Sequence, residues 1–143
     1  MPGRGKRDQP VVAAFRTDQL HAGWQTFLED HRNEDNVADI VTPAAAALQQ
    51  LVDTTHWIQQ SDDATQRGAA NQYLRQFGLT IIACLWAQII VSIRDKGGAF
   101  YDTKRKLARF YMRRVLPETA SIAVTVVSGA DALADFGVSE FTD

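Results

Sequence analysis

Eight basic residues crowd one stretch of the chain: Arg94, Lys96, Lys104, Arg105, Lys106, Arg109, Arg113 and Arg114, against only Asp95 and Asp102. Arg105, Arg109 and Arg113 recur every fourth residue, which lines them along one face of a helix. Such a face suits solvation, docking of an acidic partner surface, or contact with a phosphate-bearing ligand. Nucleic acid is not expected, because no stacking aromatics alternate with exposed basic residues. Residues suited to catalysis are sparse. His21, His31 and His56 lie far apart and pair with no carboxylate or cysteine at ligand spacing, so no metal site is expected. Gly3, Gly5 and Lys6 lack the upstream glycine and the following hydroxyl of a phosphate loop. The acid pairs Glu29-Asp30 and Asp62-Asp63 read as solvated helix ends, the second favoured by the helix dipole.

The bulk numbers fit one soluble domain. The chain has 143 residues, 45% hydrophobic and 22% charged, with a net charge of −2. That charge gives no whole-molecule attraction to nucleic acid or to acidic membranes. The single cysteine, Cys84, lies within an apolar run and reads as a small buried hydrophobe. No disulfide framework exists, which points to a reducing compartment and a cytoplasmic location. The basic start from Met1 to Arg7 has no apolar signal-peptide core. Residues 1–10 are expected to be a disordered basic arm, and 11–143 a single helical-bundle domain.

Four main helices are expected, forming an all-α, up-down four-helix bundle. The first runs from about Val12 to His31, with apolar positions Phe15, Leu20, Trp24, Phe27 and Leu28. Thr42-Pro43 reads as a capping hydroxyl followed by proline at the first helical position, starting a second helix that ends near Gln60. Leu48, Leu51, Val52, Thr55 and Ile58 are spaced to face a core. The third helix spans about Ala64 to Asp95. Leu74, Phe77, Gly78, Ile81, Leu85, Ile89 and Ile93 form its expected buried stripe, widened by Ile82, Trp86, Ile90 and Val91. Gly78 suggests a close helix crossing. The apolar run from Leu79 to Ile93 is too short for the roughly 20 residues of a membrane span, so a central bundle helix is expected. Lys96-Gly97-Gly98 makes a turn. The fourth helix begins near Phe100 and carries Leu107, Phe110, Tyr111, Val115, Ile122, Ala123 and Val126. Pro117 should kink it and Gly129 should stop it. Asp131 to Phe136 could add one more turn.

Several ordered segments together resemble a known family. They are Tyr73-Leu74-Arg75-Gln76-Phe77-Gly78, Trp86-Ala87, Lys106-Leu107-Ala108-Arg109-Phe110-Tyr111, Val115-Leu116-Pro117, and Ser128-Gly129-Ala130-Asp131 followed by Phe141. Thr55-x-Trp57-Ile58 suits an earlier helix. The set resembles the C-terminal helical domain of acyl-CoA dehydrogenases, the acetyl-CoA dehydrogenase C-terminal-like domain, over about residues 42–143. The resemblance implies a helical bundle appended to a flavoenzyme of fatty acid metabolism. In that family upstream domains bind FAD and the acyl thioester; a glutamate removes the α-proton and flavin accepts hydride from the β-carbon.

None of those catalytic or flavin-contacting residues maps onto the matched region, and 143 residues leave no room for the flavin domains. The chain by itself is therefore expected to be noncatalytic and to hold no cofactor. FAD belongs to a host or partner enzyme. Coenzyme A is the phosphate-bearing ligand considered for the basic face. The expected role is an auxiliary module that forms a homodimer or meets a flavoenzyme. Its candidate interaction face is Phe15, Trp24 and Phe27 of the first helix with Arg105, Arg109 and Arg113. The alternative is an independent helical interaction or ligand-binding protein, or a shortened gene product with no enzymatic role.

Overall fold

The computed structural model describes residues 17–129 and 136–141. The expected arm over residues 1–10, the start of the first helix near Val12 with Phe15, and residues 131–135 of the suggested last turn lie outside the described residues. Among those described, the fold is all-helical and contains no strand. The elements are α1 (Thr17–His31), α2 (Ala38–Gln59), α3 (Asp63–Ser92) and α4 (Ala99–Phe110). A π-helical segment (Tyr111–Val115), α5 (Glu118–Val127) and a short 3-10 turn (Val138–Phe141) complete the chain.

α2 begins earlier than its sequence suggests. Thr42 is not its cap and Pro43 lies inside it; Val37 occupies the cap position. Proline there removes one donor early in the helix. The helix tolerates the loss because Val37, Ile40, Val41 and Ala44 around it are all buried in the main core. α3 starts as expected: the Asp62 carboxylate accepts from Thr65 N–H at 2.7 Å, a side-chain cap at the positive end of the helix dipole.

The long arm after α3 is interrupted. Gly98 holds φ +113° at the cap position of α4, a backbone shape that favours glycine. Leu116 N–H then reaches back five residues to Tyr111 O at 2.9 Å, which defines the π turn just ahead of Pro117. Gly129 at φ +77° closes the segment after α5, as expected for a helix-ending glycine.

α3 sits at the centre, packed mainly on α2 and α5. The side it buries is not the expected one. Ala69, Tyr73, Gln76, Thr80, Ala83, Cys84, Ala87, Ile90 and Val91 face inward. Leu74, Ile82, Leu85 and Ile89 are 62, 43, 44 and 42% exposed. Leu107 and Phe110, apolar residues of the expected fourth helix, are exposed as well. The physical reason is size. Alanine, cysteine and threonine let α3 approach the alanine-bearing face of α2, where Ala44 and Ala47 are buried. Large aliphatics on that side would hold the helices apart. Gly78 makes no close crossing within the chain: a Cβ there would meet nothing within 4 Å. α3 is long and apolar enough to cross a membrane by length and composition, yet 39% of its most apolar window is buried in the bundle.

The main core joins Leu28 of α1, Ile40, Val41 and Leu48 of α2, the inward face of α3, and Ala108, Met112 and Leu116 beyond. A smaller cluster of Ala69, Ile122 and Val126 is covered by Trp57, Ile58 and Leu79. Two truncations separate this arrangement from the expected stripe. Leu51 is fully buried, so Leu51→Ala should cost about 2–5 kcal/mol. Leu85→Ala, on the outward side, should cost under about 1 kcal/mol. Urea denaturation of the two variants measures both; equal losses would contradict the orientation of α3.

Candidate functional site

The polar groups of this domain gather in three places: a seam between α2 and α3, a groove between α1 and α2, and the basic stretch of α4.

The seam is buried. Tyr73 and Thr55 hydroxyls share a hydrogen bond of 2.6 Å, and Thr55 also donates to Leu51 O at 2.7 Å. Gln76 Nε2 donates to Thr54 Oγ1 at 3.1 Å. Gln76 Oε1 and Thr80 Oγ1 are buried without a hydrogen-bond partner. Burial pushes the Tyr73 hydroxyl up from its ordinary range, partly offset by its bond to Thr55. His21 of α1 is buried nearby, its ring edge-on to Phe77 at 6.5 Å. A small cavity of about 290 Å³ lies beside His21, lined also by Gln25, Val52, Thr55 and His56. The bonds among Thr54, Thr55, Tyr73 and Gln76 join α2 to α3 through neutral groups, while His56 at the cavity is exposed.

The larger groove, about 730 Å³, runs between α1 and α2. Leu28, Ala45 and Leu48 form its apolar floor, with Glu29, Asp30 and Arg32 at its rim. Arg32 approaches Glu29 at 3.6 Å, so its charge is shared. Two acids against one shared cation are a poor match for the diphosphate of FAD or coenzyme A. No group of three metal-ligating side chains converges among the described residues.

The basic face is largely spent within the domain. Arg105 turns back onto the end of α3, donating to Ile93 O at 2.8 Å and to Lys96 O, while also bonding Asp102 at 3.1 Å. It satisfies carbonyls that a helix end leaves open. Arg109 Nε pairs with Asp39 of α2 at 2.8 Å, tying α4 to the first turn of α2. Arg113 is exposed and falls in the π segment, where the wider turn breaks the four-residue register. The structure therefore does not unite the three arginines into one open face. Trp24 and Phe27 are half-buried against the main core, edge-on to each other at 6.1 Å. Phe15 lies outside the described residues.

Sequence reasoning missed the pairings that span the domain. Arg75 grips Glu118 with two bonds, 2.7 and 3.0 Å, and the hydrogen bond holds the Glu118 carboxyl below the usual carboxylate range. Arg94 reaches Glu34 at 3.5 Å, and Glu34 also binds His31 at 2.7 Å. Tyr111 donates to Leu79 O at 2.6 Å. The partners of Arg75, Arg94 and Tyr111 lie 32 to 60 residues away, so no local pattern announces them.

With this geometry in view, the comparisons with known proteins place the chain. Residues 18–137 match the family described as acetyl-CoA dehydrogenase C-terminal like, and the chain belongs to that family. The match begins in α1, earlier than the resemblance from residue 42, and stops short of Phe141. No curated protein and no solved structure matches the chain.

Two weak acids, the buried Cys84 and the half-buried Tyr111, make the domain sensitive to alkali. Burial pushes the Cys84 thiol up from 9.0 to about 12. Burial is also the first cause that takes Tyr111 from 10.0 to about 12. Each keeps its proton longer when folded than when unfolded. Their contribution is complete below about pH 9 and is lost as pH rises towards 12. Urea midpoints should therefore fall between pH 8 and pH 11. Cys84 should resist a thiol reagent at pH 8 until the protein is unfolded.

Proposed function

We propose that this domain is a noncatalytic accessory module of FAD-dependent acyl-CoA oxidation, acting through association rather than chemistry. The membership of residues 18–137 in the acetyl-CoA dehydrogenase C-terminal-like family supports the link to that chemistry. One observation carries the noncatalytic part. Several polar side chains that could do chemistry instead hold helices together, from Tyr73–Thr55 in the seam to Arg105 and Arg109 on α4. Among the described residues no ionisable base and nucleophile meet at a cleft, as an active site requires.

In this reading the helices run up-down and the chain bends at the π turn before Pro117. FAD resides in a partner enzyme, and the setting is the cytoplasm. Coenzyme A is not a ligand of the groove, because its rim is acidic. An independent ligand-binding role has the small cavity beside His21 in its favour, but at about 290 Å³ that cavity is small for a ligand.

The purified chain should be colourless and inactive. An absorption spectrum and a dye-reduction assay with short, medium and long acyl thioesters test this. A stoichiometric flavin band, or turnover by the chain alone, would overturn the proposal.

A further inference from the structure

α3 is apolar on two opposite sides. One carries the small inward residues described above. The other carries Leu74, Gly78, Ile82, Leu85 and Ile89, with Ile81 half-exposed at its edge. A helix that is apolar all round is normally covered all round. Among the described residues no element covers the second side. Gly78 sharpens the point. Glycine inside a helix is costly, and its usual return is close approach by another backbone. Here a Cβ at Gly78 would meet nothing within 4 Å, so no part of the described chain uses the space.

The geometry points to a second copy of this chain as the occupant, packed α3 against α3 in antiparallel fashion. This deepens the association role proposed above and rests on it. The stripe is self-complementary under a two-fold axis, as an isologous contact demands. With the axis between Ile81 and Ile82, Leu74 lies opposite the partner's Ile89 and Gly78 opposite the partner's Leu85. A leucine knob then meets the gap left by the glycine. No charged residue occurs between Arg75 and Arg94, so the pairing buries no ion. Arg75 and Arg94, which bracket the stripe, are already paired with Glu118 and Glu34.

The size of the face sets the strength. From Leu74 to Ile89 the stripe runs about 22 Å, and a helix face about 10 Å wide gives roughly 220 Å² of projected area. Leu107 precedes Tyr111 by one turn on the flank of α4 that meets α3, and Phe100 precedes Leu107 by two turns; both are exposed. A standard stable interface buries about 800 Å² per partner, so this dimer is weak, with dissociation in the micromolar range.

Sedimentation equilibrium of the full chain across a wide concentration range tests the inference. Wild type should show a reversible monomer–dimer equilibrium. Leu85→Lys should weaken it about tenfold or more. Val124→Lys, on an exposed position of α5, should not, and circular dichroism should report unchanged helicity for both. Ile82→Cys, close to the proposed axis, should form a disulfide-linked dimer on mild oxidation, while Val124→Cys should not. A wild-type chain that stays monomeric, or a Leu85→Lys chain that dimerises as well as wild type, would overturn the inference. So would binding to phosphatidylcholine vesicles with no self-association, which would make the face a lipid contact. A monomer that is also colourless and inactive would sink the dimer alone. A flavin band or turnover would sink the noncatalytic reading instead.

Discussion

The close contact between α2 and α3 governs the rest of this structure. Ala44 and Ala47 on one helix and Ala83, Cys84 and Ala87 on the other are all buried in the main core, where the two helices pack. Side chains this small permit short interaxial distances and many dispersion contacts per turn. They also dictate where the large residues go. Once α3 turns its small side towards α2, Leu74, Leu85 and Ile89 can only point outward. The buried polar seam follows from the same choice. Tyr73, Gln76 and Thr80 share that inward face, and hydrogen bonds to Thr54 and Thr55 make most of their burial tolerable.

Around this contact, charges pin the ends of helices. Arg94 with Glu34 and His31 joins the end of α3 to the loop after α1. Arg109 with Asp39 joins α4 to the start of α2, and Arg75 with Glu118 joins α3 to α5. Each pair is partly or mostly exposed, and such pairs contribute at most about 1 kcal/mol. Their importance is geometric: they set which helix ends lie side by side. The π turn belongs to the same logic. Leu116 bonds five residues back instead of four, and Tyr111 within that turn reaches Leu79 O while Met112 stays in the core. The basic stretch of α4 is thereby drawn into holding the domain together, leaving Arg113 on the surface.

Much of the architecture was legible in the chain itself. Uninterrupted helical patterning made the domain all-α. The Asp62 cap and the Gly129 stop were readable because capping chemistry acts within a few residues. The ordered segments from Tyr73 to Pro117 carried the family resemblance, since that is a property of residue order alone. The start of α2 was misread at Thr42-Pro43, where burial of Val37, Ile40 and Val41 outweighed a local signal.

What the sequence could not decide is which side of α3 faces inward. Its large aliphatics and its small residues both recur at helical spacing, so periodicity offers two opposite stripes and no reason to prefer the larger. Only the presence of α2, with alanines of its own, selects the small one. The arginines teach the same lesson. Spacing of four correctly put Arg105 and Arg109 near one another on α4. Whether they face water or neighbours depended on Ile93 O and Asp39, which folding brings to them from 12 and 70 residues away. Local patterns set the helices because their hydrogen bonds and caps are local; the faces were set by tertiary contact, because burial is decided by what lies opposite.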